Sequence, residues 1–174
     1  MLVTTTASGA RFDAEGFARR ERDAERELRA LRPHLDLSSS YLEVGAGDCA
    51  LARRVAGYAD RVYALDMSED LMGRLGGPPN LVRLPFDGVR VPLAPESVDL
   101  AFSRQLVISQ LPSICHALRV GGVYFTSSQG PAAELRCAFL DAGFSKVCFY
   151  VGAVRVPYLL AIALDDRFRI AATK

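Results

Sequence analysis

The chain is poor in metal-binding patterns, in net charge and in long apolar runs, and each of these shortfalls narrows its class. It holds two histidines, His34 and His116, and neither stands at ligand spacing from any of the four cysteines, Cys49, Cys115, Cys137 and Cys148. The cysteines form no C-x-x-C pair, which speaks against a zinc site or a redox dithiol and leaves each as a small buried apolar residue. Twenty-one basic against twenty acidic side chains leave a formal charge of +1, so the chain as a whole has no pull toward nucleic acid or an anionic bilayer. The most apolar stretch, Val147 to Leu164, is interrupted by Gly152, Arg155 and Pro157, and reads as two short strands rather than a membrane span. The expectation is a cytoplasmic protein with no bound metal, no membrane span and no nucleic-acid partner, because no secretory leader or apolar anchor is evident either.

What is present is the composition of an ordinary globular domain, 50% apolar and 24% charged over 174 residues, long enough for one continuous core. Residues 1–12 are threonine-rich and aperiodic and read as a flexible N-terminus, with 13–174 as a single domain. Within it, 13–35 forms an N-terminal helical segment in which Phe17, Ala24, Leu28 and Leu31 recur at helical spacing before Pro33. Glu25 and Arg29 form an i,i+4 pair there, and the dense charge reads as a solvated helix face rather than a binding surface.

Residues 40–164 alternate short apolar runs with helical patterns. That alternation predicts an α/β fold, a Rossmann-like doubly wound and mostly parallel sheet of about seven strands with helices on both faces. Strands are expected near Tyr41–Val44, Arg61–Leu65, Leu81–Leu84, Val98–Phe102, Val123–Ser127, Lys146–Val151 and Tyr158–Leu164, the last of which also reads as a buried helical turn. Helices are expected near Asp48–Gly57, Glu69–Leu75, Leu106–Leu118 and Ala132–Ala142. Gly76-Gly77-Pro78-Pro79-Asn80 breaks the chain before the third strand, and Gly121-Gly122 is read as ending a helix before the fifth.

Chemistry concentrates where the first strand runs through Glu43-Val44-Gly45-Ala46-Gly47 straight into a helix. Gly45 and Gly47 allow a sharp turn that brings a ligand against main-chain N–H groups at a helix start, which is where open α/β sheets bind. Asp66 ends the second strand, 19 positions after Gly47, where a carboxylate can accept both hydroxyls of a ribose. Its alternative role, capping the next helix, is already available to Ser68.

In these motifs the sequence resembles the class I S-adenosylmethionine-dependent methyltransferases, within them the type 11 small-molecule branch, over roughly Tyr41 to Phe149. Glu43-Val44-Gly45-Ala46-Gly47 is similar to the first motif of that family, and Ala64-Leu65-Asp66-Met67-Ser68 to the second. Pro85-Phe86-Asp87-Gly88, followed by Val91 to Ser103, is similar to the third and fourth, and Ala117 to Tyr124 to the fifth-strand signature. The resemblance implies S-adenosyl-L-methionine as cofactor, with S-adenosyl-L-homocysteine as product, and methyl transfer to a small-molecule acceptor. It implies that Glu43 and the backbone of Gly45, Ala46 and Gly47 hold the methionine moiety, Asp66 the ribose and Met67 one face of the adenine. Asp87, at Asp87-Gly88, would reach the exocyclic amine, although that dipeptide also reads as a plain turn, and Ser103 would border the sulfonium.

The chain departs from the family pattern at Cys49, the third position of the glycine motif, and at Ser103 to Pro112, where relatives usually carry a longer segment with His and acidic residues. No residue is assigned as a catalytic base, and Arg104, just after the fourth strand, is the candidate to bind an acceptor carboxylate or phosphate. Only Gln129-Gly130-Pro131 follows the fifth strand, so the open cofactor edge is left to the N-terminal helix, a second copy or a partner protein to cover. Two other readings remain: a methyltransferase-like scaffold or regulatory subunit, and an NAD(P)-dependent oxidoreductase, since Gly45-x-Gly47-x-x-Ala50 also fits a dinucleotide fingerprint.

Overall fold

β1 (Ser40–Val44) is buried at every position, as a central strand covered on both faces must be. It sits at the middle of the sheet in the computed structural model, which describes residues 14–68, 76–164 and 167–174. β1 pairs in parallel with β2 (Arg61–Asp66) on one side and with β4 (Val98–Ser103) on the other. β3 (Leu81–Pro85) continues the parallel set beyond β2, and β5 (Leu118–Gln129) continues it beyond β4. Past β5 the pairing turns antiparallel: β8 (Arg167–Thr173) is inserted between β5 and β6 (Lys146–Val151), and short β7 (Val154–Val156) closes the edge. The order is β3-β2-β1-β4-β5-β8-β6-β7, so the expected doubly wound, mostly parallel sheet is present with eight strands. The chain winds outward from β1 through β2 to β3 and then resumes at β4 on the other side. The carboxyl ends of β1 and β4 therefore flank the topological switch point, where a crevice opens.

Two cores lie on the two faces. On one, α1 (Ala14–Leu31) and α2 (Ala50–Val55) bury Ala24, Leu28, Leu31, Leu51 and Val55 against Tyr41, Val62 and Leu100. On the other, α3 (Leu111–Ala117), α4 (Ala132–Asp141) and α5 (Tyr158–Leu164) lie over a core that includes Leu42, Val44, Ile114 and Leu135. An aromatic cluster fixes that second face: Tyr124, Phe139 and Phe144 meet with ring centroids 5.3–6.2 Å apart, and Phe168 stands edge-on to Phe149.

Several elements differ from the sequence expectation. Tyr158–Leu164 is α5, not a strand: the Pro157 carbonyl accepts the N–H groups of Leu160 and Ala161, and Leu and Ala are strong helix formers. The hairpin partner of β6 is instead β7, reached by a two-residue turn in which Gly152 takes φ +61. The helix expected over Leu106–Leu118 is shorter, a 3-10 turn at Ile108–Gln110 leading into α3 with Pro112 in its first turn. Gly121-Gly122 ends no helix. β5 runs through the pair, which sits at a register shift against β4, and a Cβ at Gly122 would stand 2.9 Å from the Arg119 carbonyl oxygen. β8 extends the sheet past residue 164, with Phe168, Ile170 and Ala172 alternating inward. The expected helix Glu69–Leu75, residues 1–12 and the Phe17 side chain lie outside the described residues.

The charge on α1 is only partly a solvated face. Glu21 pairs with Arg54 and, at 3.3 Å, with Arg53, both on α2; Glu25 also reaches Arg54; and Arg20 donates to Asp48 at 3.0 Å. These pairs are half-buried, and a network shares the entropic cost of ordering its long side chains. Glu21→Ala leaves Arg53 without its carboxylate and Arg54 with Glu25 alone, and is expected to destabilise the fold by about 1–2 kcal/mol, lowering Tm by about 3–6 °C in thermal denaturation. Arg22→Ala, an exposed neighbour on the same helix, is expected to leave Tm within about 1 °C.

Candidate cofactor cleft

Where β1 meets α2 the backbone takes three left-handed residues in five positions: Gly45 at φ +75, Gly47 at φ +54 and Cys49 at φ +59. Gly45 and Gly47 adopt this region freely, whereas Cys49 is a side chain held where glycine fits best, a sign that the surrounding turn dictates the conformation. The turn is anchored to β2. Gly45 and Ala46 donate to the Leu65 carbonyl at 2.8 and 2.9 Å, and Gly47 donates to Oδ2 of Asp66 at 2.7 Å. Oδ1 of Asp66 accepts the Ser68 N–H at 2.9 Å. The Asp66 carboxylate thus ties the first glycine turn to the end of the second strand, and each of its oxygens keeps a lone pair for a further donor.

Between the ends of β1, β2 and β4 lies a cleft of about 310 Å³, lined by Val44, Gly45, Asp66, Met67, Phe86, Gly88, Ser103, Arg104, Gln105, Val107 and Gln110. Six of the residues singled out in the sequence therefore share one cavity wall: Gly45, Asp66, Met67, Gly88, Ser103 and Arg104. Met67 is 75% exposed and its sulfur stands 3.1 Å from where a Cβ at Gly88 would be, while φ +85 at Gly88 is a conformation that favours glycine. Gln110 donates from Nε2 to the Gly88 carbonyl at 2.7 Å and holds that loop in place.

Other candidates stand off the wall. Asp87 is exposed, and its Oδ1 accepts the N–H groups of Val89 and Arg90, both at 2.8 Å, which keeps its carboxyl below the usual carboxylate range. The turn half of its expected double reading is therefore realised in the geometry. Ala46 is buried, and Gly47 meets the site through its N–H on Asp66. Ser103 borders the cleft but its hydroxyl is committed inward, to Tyr124 Oη at 2.6 Å, Thr126 Oγ1 at 3.0 Å and the Gln105 carbonyl at 2.9 Å.

Glu43 lies deeper, 2% exposed, on the β1 face that meets α2, and its Oε2 has no hydrogen-bond partner. Burial pushes its carboxyl up to about 8, against the opposing pull of the Arg104 guanidinium and the Ala52 backbone amide. An acid so placed holds its proton at neutral pH unless a cation arrives, which is the electrostatics suited to an ammonium-bearing ligand.

Phe86, Gln105, Val107 and Gln110 escaped the sequence reading. Phe86 sits inside a motif already quoted, and its buried ring beside Gly88 was an available signal. Gln110 had none, since its place depends on the 3-10 turn that begins at Ile108.

The sequence from residue 42 to residue 120 matches the family described as a methyltransferase domain, type 11. No curated protein matches it. Among solved structures, one similar chain belongs to the complex between the Haloferax volcanii Trm112 methyltransferase activator and a candidate methyltransferase. It shares 16% identity over 91% of this chain and 92% of its own, with a TM-score of 0.69. An S-adenosylmethionine-dependent methyltransferase from Mesorhizobium loti shares 19% identity over 87% and 98%, TM-score 0.65. Haemonchus contortus phosphoethanolamine N-methyltransferase 2, solved in complex with S-adenosyl-L-methionine, shares 14% over 86% and 52%, TM-score 0.67. These likenesses agree with the α/β architecture described above.

Proposed function

We propose that the chain is a class I S-adenosylmethionine-dependent methyltransferase of the type 11 kind, with S-adenosyl-L-methionine as its cofactor, and that it transfers the methyl group to a small-molecule acceptor by in-line displacement; the family match over residues 42–120 and the fold shared with such enzymes support this. The observation that carries this reading is the Gly47 N–H on Asp66 at 2.7 Å, which places the glycine turn and the ribose-type acid in one rigid unit beside an open cleft. In this assignment Asp66 accepts the ribose hydroxyls through its unused lone pairs. Met67 and Phe86 flank the adenine, with Gly88 giving it room, and Asp87, in the turn beside Gly88, is the acid assigned to the exocyclic amine. The backbone of Gly45, Ala46 and Gly47 holds the methionine moiety, with Glu43 below to compensate its ammonium. When bound, the cofactor supplies an electrophilic methyl on a sulfonium.

Among the described residues no histidine or carboxylate apart from Asp66 lines the cleft, and both oxygens of Asp66 already accept a backbone N–H. The residues present therefore act by positioning and by excluding water, which suffices for a displacement at sulfonium, and no side chain is assigned as catalytic base. Exposed Met67 and Val107 line the cleft, and exposed Val89 and Ile108 directly follow lining residues in the chain, an apolar set suited to a covering surface, either a second copy or a partner protein. No described helix is long and apolar enough to cross a membrane, and a cytoplasmic setting agrees with the free thiols of all four cysteines.

Thermal shift with S-adenosylhomocysteine tests the assignment. At about a hundredfold excess over Kd the expected stabilisation is about 2.7 kcal/mol, a Tm rise of about 5–10 °C, with no response to oxidised or reduced nicotinamide dinucleotides. Stabilisation by the nicotinamides alone would overturn the reading. Transfer of labelled methyl to the small-molecule fraction of a cell extract separates an enzyme from a cofactor-binding scaffold.

A further inference from the structure

Beside the cofactor cleft lies a second one, of about 400 Å³, lined by Arg104, Gln105, Ser127, Ser128 and Gln129. It is formed where β4 and β5 end side by side, and Arg104 and Gln105 belong to the walls of both cavities. The segment carrying them is fixed at each end. The Ser103 hydroxyl donates to, or is shared toward, the Gln105 carbonyl at 2.9 Å, and the Leu106 N–H donates to the Ser127 carbonyl at 3.0 Å. The backbone is thereby held while the Arg104 side chain is left uncommitted.

Arg20, Arg53, Arg54, Arg119 and Arg169 have carboxylate partners, whereas Arg104, like the exposed Arg22 and Arg155, forms no ion pair or hydrogen bond with the described residues; of these three, Arg104 alone stands on the walls of both clefts. Buried Glu43 feels this guanidinium as a pull opposing the larger effect of its burial. Among the described residues no acidic side chain lines the second cleft. The remaining walls offer two serine hydroxyls and two carboxamides.

We infer that this second cleft is the acceptor subsite and that it takes a carboxylate-bearing small molecule, held by the Arg104 fork with Gln105, Ser127, Ser128 and Gln129 around its polar part. The inference rests on the methyltransferase reading and narrows its acceptor class. A planar guanidinium pairs bidentately with a carboxylate. A single cation among the described lining residues matches one negative charge better than a phosphate dianion, and those same residues include no carboxylate to attract a cationic acceptor. The shared position of Arg104 sets such an acceptor directly against the cofactor cleft, as a displacement requires.

The test uses benzoate and its neutral isostere benzamide as probes on the full chain saturated with S-adenosylhomocysteine, following the Arg104 Nε–H signal by NMR. Benzoate is expected to bind at least tenfold more tightly than benzamide and to move that signal. Arg104→Gln is expected to erase the difference between the probes. Equal binding of the two probes overturns the inference. So does a loss of tenfold or more in S-adenosylhomocysteine affinity in the variant, since the guanidinium would then belong to the carboxylate of the cofactor itself. If the wild-type chain does not bind S-adenosylhomocysteine at all, the methyltransferase reading falls and this inference with it, an outcome distinct from cofactor binding without probe discrimination.

Discussion

Asp66→Ala is expected to weaken S-adenosylhomocysteine binding by two to four orders of magnitude in isothermal titration while leaving the protein folded. Two effects add. The carboxylate that would take both ribose hydroxyls disappears, and charge-assisted hydrogen bonds of this kind are worth about 1.5–3 kcal/mol each. The Gly47 N–H also loses its acceptor at 2.7 Å, so the glycine turn is no longer braced against β2. Asp66→Asn separates the two: its carbonyl oxygen can keep one of the existing bonds, and the expected loss is about tenfold to a hundredfold. An Asp66→Ala protein that bound the ligand as wild type would remove the basis of the site assignment.

The second large effect concerns Glu43 and pH. Its carboxyl titrates at about 8 in the fold against 4.5 for the free group. Because the folded value is the higher one, the stability linked to this proton is fully present below about pH 4.5. It is lost as pH rises toward about 8, where the folded protein must bury a charge. The linked loss is on the order of 4–5 kcal/mol across that window. Glu43→Gln keeps the shape and removes the titration, so above about pH 8 it is expected to melt about 10 °C above wild type, and the difference should close as the solution is acidified. The same substitution is expected to cost about tenfold to a hundredfold in S-adenosylhomocysteine affinity, because the ammonium loses its counter-charge. Parallel melting curves for the two proteins across pH would show that the buried acid does not govern this balance.

The glycine turn and Asp66 could be read from the sequence because their requirements are local: a left-handed backbone at Gly45 and Gly47, and an acid at a strand end a fixed distance on. β1, β2 and β4 were legible for a related reason, since strands covered on both faces are short apolar runs between breaks. Tyr158–Leu164 was not, because a seven-residue apolar run satisfies a helix and a strand equally and only the Pro157 carbonyl decides between them. The glycine pair at 121–122 looked like punctuation but lies inside a strand, where the need is close approach to the Asp99 carbonyl rather than a break. The second cleft was invisible for another reason: it joins Arg104 to residues 127–129, and that adjacency exists only once β4 and β5 are paired.

The placement of β8 between β5 and β6 has a consequence for synthesis of the chain. Until residues 167–173 have left the ribosome, β5 presents an open edge and β6 has only the β7 hairpin beside it, so the aromatic layer around Phe149 and Phe168 cannot close. The growing polypeptide therefore carries an unfinished sheet until residues 167–173 emerge to fill the gap between β5 and β6.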